Sequence, residues 1–391
     1  MRVTQTVLGW PMVFALIMVG LWPLISAGAE NTGFDARPLM RGRMDYERAA
    51  TEVQNYIQVT FYLPGRGLYA HSISDRHPDF TWGNGVSLSA LVGAARNEPT
   101  RYPPILNRFF VALDAYWDGL APHGGYEPAP TRGGGNDKYY DDNEWMALSY
   151  TEAYELMRDP RYLDQAQRCM DFALSGWDDT ALGGGIWWHV SRKSKNVCSN
   201  APAAEACLRL ACYLPPAKAS ELISMAKRIV AWTDKTFRDD RGLYSDSIST
   251  VTGKMNPAKL TYNTALMIRA LLGLYRITGD QVYFQEAIRS ADSSDWFLDP
   301  RTHAYRDAVK WSHLMVEADL EIFRATGNAH YLQRAMDNAD YEYAKWKQMP
   351  PNTAIDNASI ARVLWLLADM QSAGGEKFWR QVDRRMTRLG P

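Results

Sequence analysis

The segment Lys138–Tyr150 reads KYYDDNEWMALSY and places two adjacent carboxyl groups, Asp141 and Asp142, among aromatic residues just where an apolar, helix-like pattern begins. Two kinds of chemistry suit them. An Asp at a helix start accepts hydrogen bonds from orphan backbone N–H groups and favours the positive end of the macrodipole. A carboxylate beside a carboxylic acid can instead cleave a glycosidic bond, one group acting at the anomeric carbon while the other protonates the leaving oxygen. Neighbouring like charges raise one of the two pKa values and keep that group protonated, and a helix N-terminus favours the other as an anion. Capping accounts for one aspartate but not for two.

The elements that must position the pair form a repeat. Six segments share one character: WGNGVSLSALVGAA from Trp82, DDNEWMALSYTEAY from Asp141, CSNAPAAEACLRLA from Cys198, TYNTALMIRALLGL from Thr261, KWSHLMVEADLEIF from Lys310 and IDNASIARVLWLLA from Ile355. Five carry Asn near the start (Asn84, Asn143, Asn200, Asn263 and Asn357), and Ser312 stands there in the remaining one. They are rich in small and apolar residues, as buried inner helices should be. A second type alternates with them: DPRYLDQAQRCMDFA from Asp159, DQVYFQEAIRSADSS from Asp280 and NAHYLQRAMDNADYE from Asn328. Here Asp or Asn is a natural N-cap, and Tyr, Ala and later apolar positions recur on one helical face, as in half-buried outer helices.

A spacing of about fifty to sixty residues calls for a helical-hairpin repeat. Six outer–inner pairs fit between Tyr46 and Gln371, with a last helix near Glu376 and no convincing period-two strand pattern. Six hairpins close into an all-α (α/α)6 toroid. Turns from inner to outer helices are short (RDP, TGD). The returns are long and rich in Gly and aromatics, notably DGLAPHGGYEPAPTRGGGNDKYYDD and DDTALGGGIWWHVSRKSKNVCSN. Long loops in a compact domain are usually functional, and these emerge at the end where the inner helices begin.

On this layout Trp187 and Trp188, after three glycines, are expected to form a sugar-stacking wall, and Trp82 to line the same end. Tyr139 and Tyr140 are expected either to orient or cover the carboxylates or to pack within the loop. For Glu144 and Trp145 salt-bridging and core packing are expected, for His313 a core role, and for Asp178-Asp179 a solvated turn.

The chain has 391 residues, 46% of them apolar, and a formal charge of −1 with no long run of one sign. That argues against a nucleic-acid or anionic-membrane binder. Arg2, the apolar run Val7–Ile25 and the Ala27-Gly28-Ala29 site read as a secretory signal peptide over residues 1–29. Residues 30–391 are then a single catalytic domain, secreted or periplasmic, with no stable membrane span in the mature form. An uncleaved anchor is the alternative, which Pro11 and Pro23 weaken. Cys169, Cys198, Cys207 and Cys212 permit disulfides of unreadable connectivity. Scattered histidines and the lack of a C-x-x-C pair give no metal site and call for no cofactor.

The YYDDNEW block, Tyr139–Trp145, resembles glycoside hydrolase family 76, the endo-α-1,6-mannanases of (α/α)6 fold. GGGIWW (Gly183–Trp188), Lys195-Asn196, SNAPAA from Ser199 and TYN (Thr261–Asn263) are similar to further motifs of that family. The resemblance implies Asp141 as nucleophile, Asp142 as general acid/base and retention of configuration. It also implies Tyr140, Trp187, Trp188, Asn196, Tyr262 and Trp82 around an α-mannan or mannan-like polysaccharide, bound by a monomer. Departures are Thr264-Ala265 where Gln-Gly is expected and Ser247 where Gly is expected, which bear on subsites. The rival readings are a transglycosidase on mannan-type glycans, an unsaturated glucuronyl hydrolase or N-acylglucosamine epimerase on the same toroid, and a non-catalytic helical-repeat glycan-binding protein. Long uneven loops disfavour the last.

Overall fold

The computed structural model describes residues 34–120 and 122–390, which fall within one compact unit, Gly33–Pro391. The signal peptide expected over residues 1–29 lies outside the described residues. The outer helices are α1 (Tyr46–Thr60), α3 (Pro103–Ala112), α5 (Pro160–Ser175), α7 (Pro216–Phe237), α9 (Gln281–Ser293) and α11 (Ala329–Gln348). Alternating with them are the inner helices α2 (Thr81–Asn97), α4 (Tyr140–Met157), α6 (Ala201–Ala211), α8 (Thr261–Thr278), α10 (Val309–Thr326) and α12 (Ala354–Gln371). Each inner helix packs on the next and α12 closes back on α2. The fold is an all-α (α/α)6 toroid.

Local chemistry explains why these segments become these helices. The N–H of Arg161 donates to Asp159 at 3.0 Å, that of Val282 to Asp280 at 3.0 Å and that of His330 to Asn328 at 3.1 Å, so the expected outer-helix caps form. The asparagines of the inner helices work differently. Asn143 Nδ2 donates to the carbonyls of Tyr139 (2.9 Å) and Tyr126 (3.0 Å) while its Oδ1 accepts from Tyr126 N–H at 2.6 Å. Asn200 repeats this with Asn196 and both backbone groups of Ile186, and Asn357 bonds the carbonyls of Thr353 and Pro351. Each of these three side chains, fully buried, ties a return loop to the first turn of its inner helix.

Seven short strands depart from the strand-free expectation. β1 (Tyr62–Leu63) pairs with β2 (Leu68–Tyr69), and β3 (Trp117–Asp118) with β4 (Gly125–Tyr126). β5 (Ser194–Asn196), β6 (Ser247–Ser249) and β7 (Met255–Asn256) form one antiparallel sheet that joins two successive return loops. Strands of two or three residues are too short to show a period-two pattern.

Along the barrel axis the packing is ionic. Arg269 meets Glu205 (3.1 Å), Glu317 (3.0 Å) and Glu321 (2.9 Å), while Arg362 meets Glu152 (3.0 Å) and Glu317 (2.7 Å). A final helix, α13 (Ala373–Thr387), covers the end of the barrel where the inner helices finish. There Trp379 Nε1 donates to Asp369 (3.0 Å), and Asp383 pairs with Arg276 (3.2 Å) and Arg324 (3.1 Å). The opposite end is left to the long loops. Among the described residues no helix is long and apolar enough to cross a membrane.

Candidate active site

Tyr139 is the N-cap residue of α4 and makes no side-chain cap bond; Asp141 and Asp142 follow within the first helical turn. Neither aspartate caps the helix, and both sit inside it rather than in the turn before it. Both are half-buried at the loop-bearing mouth of the barrel.

Their surroundings differ. Asp141 Oδ2 accepts from the indole Nε1 of Trp188 at 3.0 Å and from the Cys198 thiol at 3.3 Å, and Oδ1 accepts from the N–H of Asp142 at 3.1 Å. The Asp142 carboxyl has no hydrogen-bond partner among the described residues. Burial raises the pKa of Asp141 to about 6, and its donors restrain the rise. Burial, then the charges of Asp141 and Asp137, push Asp142 well above the usual carboxylate range. One member of the pair is equipped to be an anion and the other to stay an acid.

The loop that brings Trp188 to Asp141 is rigidly built. Lys195 points its ammonium at the carbonyls of Asp178 (2.7 Å), Ala181 (2.6 Å) and Gly184 (2.6 Å), so three orphan acceptors of the loop share one donor. Burial lowers the pKa of that lysine to about 8. Gly185, at φ 93°, lies flat on Trp232, where any Cβ would collide with the indole. The N–H of Tyr140 then donates to the Trp188 carbonyl at 3.0 Å, fastening the loop to α4.

The two tryptophans of the expected wall face differently. Trp188 is 38% exposed, whereas Trp187 is only 5% exposed, turned inward with the Lys195 ammonium 4.8 Å from its ring. Successive residues of an extended segment face opposite ways. The tyrosines divide likewise: Tyr140 is buried, its ring stacked on Phe172 at 4.8 Å. Tyr139 takes the outward place, its ring 5.1 Å from Trp188.

Asn196 is half-buried at the end of β5, with its side-chain oxygen unpartnered. Tyr262, half-buried on α8, has its phenol pKa driven up by burial and by neighbouring Cys198, Asp246 and Asp141. Trp82 is half-buried with its indole N–H unpartnered and the Lys310 ammonium 6.0 Å from its ring. Glu144 is fully buried, but the expected salt bridge is absent: neither carboxyl oxygen has a partner among the described residues, and burial raises its pKa strongly. His313 is a buried core residue whose pKa is held well below normal by burial and by Arg362 and Arg269, hence neutral. Asp179 is exposed and pairs with Arg228, as a solvated turn should. All four cysteines are free. Among the described residues no group of three His, Cys, Asp or Glu side chains is arranged to hold a metal ion.

Cys198 and Asp246 were not singled out as site residues by their types. Asp246 accepts from Ser247 Oγ and Asn256 Nδ2, each at 3.0 Å, and from Asn263 Nδ2 at 3.4 Å. A usable signal was present for Cys198. Counting back two residues from the five recurrent Asn residues gives Trp82, Asp141, Cys198, Thr261 and Ile355; counting back one gives Gly83, Asp142, Ser199, Tyr262 and Asp356. The near-symmetry of the hairpins delivers equivalent positions to one mouth.

A model of glycosyl hydrolase family 76 matches residues 45–359, from the cap of α1 into α12, a stretch that holds every residue of this mouth. The chain belongs to glycosyl hydrolase family 76.

Solved structures of family 76 share the toroid. A family 76 α-mannanase of Bacteroides thetaiotaomicron superposes with a TM-score of 0.79 at 23% identity, covering 88% of this chain and 99% of that one. An α-1,6-mannanase from Salegentibacter sp. gives 0.70 at 21% identity, over 82% and 98%. An inactive variant of that enzyme, with Asn at two consecutive Asp positions and in complex with α-1,6-mannotriose, gives 0.71 at 21% identity, over 83% and 100%. The meiotically up-regulated gene 191 protein of Schizosaccharomyces pombe is 28% identical over 227 residues, 53% of this chain and 49% of that protein. The chain thus spans about half the length of the curated relative it matches.

Proposed function

We propose that this family 76 chain is an exported glycoside hydrolase that cleaves α-1,6-linked mannan within the polymer and retains anomeric configuration. Asp141 is the nucleophile and Asp142 the general acid/base. The observation that carries this reading is the unequal equipment of the pair. Asp141 holds three donors suited to a carboxylate, while Asp142 has none and sits beside a charge that keeps it protonated. Support for the substrate comes from the Salegentibacter mannanase, whose inactive variant with two consecutive aspartates replaced binds α-1,6-mannotriose.

The chemistry follows from those roles. Asp142 gives its proton to the glycosidic oxygen as the C–O bond breaks, and Asp141 forms a bond to the anomeric carbon. Asp142, now ionised, takes a proton from water. The water oxygen displaces Asp141, which leaves as the carboxylate already held by Trp188 and Cys198. The exposed face of Trp188, flanked by Tyr139, supplies a stacking plane for a pyranose beside the pair.

The test is a linkage screen. Mature protein is incubated with α-1,6-, α-1,2- and α-1,3-linked mannans and the released sugars are identified, alongside Asp141→Asn and Asp142→Asn. Release from α-1,6-mannan alone, lost in both variants, is expected. Release from another linkage would move the substrate, longer products in place of shorter ones would indicate transfer to a sugar hydroxyl, and near-full activity in both variants would remove the aspartates from the chemistry.

A further inference from the structure

Asp141 Oδ2 is held by two side-chain donors of one return loop, and one of them, Trp188, closely follows its three glycines. The other is a thiol. Cys198 sits in the single 3-10 turn Val197–Ser199 that leads into α6, 7% exposed, with Sγ 3.3 Å from the carboxylate oxygen. Its backbone is pinned on both sides. Val197 N–H donates to the Asp246 carbonyl at 2.9 Å, and Asn200, two residues on, clamps Asn196 and Ile186. The sulfur has been placed there by the same device that places Asp141 two residues before Asn143.

We propose that Cys198 is a positioning residue for the nucleophile, its S–H donating to Asp141 Oδ2 and turning Oδ1 towards the anomeric carbon. The inference rests on the reading of Asp141 as the nucleophile. A thiol suits the position for two physical reasons. It must remain protonated to donate, since a thiolate would repel the carboxylate; burial, with Asp141 and Asp246 nearby, keeps its proton on. A weak S–H donor also restrains the carboxylate without holding its charge so tightly that the oxygen loses nucleophilicity. With Oδ2 occupied twice, Oδ1 has only the adjacent N–H of Asp142 and remains open.

The other cysteines offer no alternative role for the sulfur. Cys198 is not disulfide-bonded, and Cys212 donates to the carbonyl of Leu208 within its own helix turn. Among the described residues, the groups around Asp141 are Asp142 and Glu144 on α4, Asp137 and Tyr139 before it, and Trp188 and Cys198 on the return loop. Asp246 lies before β6 and Tyr262 on α8. Of these, only Trp188 and Cys198 donate to Asp141 from a side chain.

The experiment compares Cys198→Ala and Cys198→Ser with wild type over a full pH profile of kcat/KM. Thermal unfolding of each variant is recorded, and the Asp141 carboxyl is titrated by carbon-detected NMR. Loss of the donor should raise the Asp141 midpoint and the acid limb together by about half to one pH unit, a three- to tenfold loss of rate below the midpoint. Cys198→Ser, which keeps a donor, should return both towards wild type. An acid limb and an NMR midpoint unmoved in Cys198→Ala would overturn the proposal, as would equal impairment in Ala and Ser, which would mean that the sulfur only fills space. Should Cys198→Ala not fold, Cys198→Ser decides alone, because a hydroxyl donor predicts a midpoint at or below that of wild type. Asp141→Asn separates the two readings: activity surviving there sinks the nucleophile assignment, whereas activity lost there with no shift in Cys198→Ala sinks the cysteine's role only.

Discussion

Trp188 donates its indole N–H to Oδ2 of Asp141 across 3.0 Å, joining the tip of the Gly-rich loop to the first turn of α4. On the proposed function, one residue would offer a stacking face to a sugar and a hydrogen bond to the attacking group. Trp188→Phe keeps the ring and removes the bond. The acid limb of kcat/KM should rise towards neutral pH with little change in oligosaccharide affinity. Trp188→Ala should add a loss of binding of about 1 kcal/mol or more, read by calorimetry with an uncleaved ligand.

The pair also sets the sign of the pH dependence. On the proposed roles Asp141 must be ionised to attack, and burial raises its pKa to about 6, so activity should fall as pH drops below that value. Asp142 must be protonated and is held well above the usual range, so activity falls again on the alkaline side. A bell-shaped profile is expected, its limbs belonging to the coupled pair. With a substrate whose leaving group needs no proton, Asp142→Asn should form the glycosyl-enzyme and lose the alkaline limb of that step. Azide should then restore turnover by replacing the activated water.

Asn143 supports this geometry from behind. It exchanges hydrogen bonds with Tyr126 at 2.6 and 3.0 Å and reaches the Tyr139 carbonyl at 2.9 Å, all within the protein interior. Asn143→Ala leaves buried backbone groups without partners and should cost about 1–3 kcal/mol in urea unfolding. Activity at low temperature should fall further than stability does, because the turn carrying both aspartates is no longer tied to β4.

Much of this architecture was legible because it is local. An N-cap needs only its own helix, so Asp159, Asp280 and Asn328 could be read from their neighbours in sequence. The inner-helix asparagines were visible as a pattern, but the partners that give them meaning, Tyr126 and Ile186, lie 17 and 14 residues away in the loops. In Trp187-Trp188 and in Tyr139-Tyr140 alternation sends one ring in and one out, and which goes where depends on Trp232 and Phe172 on other helices. The thiol at Asp141 comes from a different hairpin altogether. So does the ionic axis, whose arginines look isolated in sequence.

That axis makes its own prediction. Arg269 serves Glu205, Glu317 and Glu321 with almost no exposure to solvent. Arg269→Met would leave buried Glu205 without its ion-pair partner and Glu317 and Glu321 with one arginine each, Arg362 and Arg276, and a loss of about 3–5 kcal/mol is expected in equilibrium unfolding. The residual folded fraction should retain its acid limb, since the axis lies below the aspartates and does not touch them.

The proposed reaction is double displacement at an α-1,6-mannosidic bond with Asp141 as nucleophile. Proton NMR of the first seconds of α-1,6-manno-oligosaccharide cleavage tests it most directly, since the anomer formed by the enzyme appears before mutarotation. With retention, the α-configured hemiacetal appears first and decays towards equilibrium. If the β anomer appears first, water attacks directly, Asp141 is a base and no glycosyl-enzyme forms.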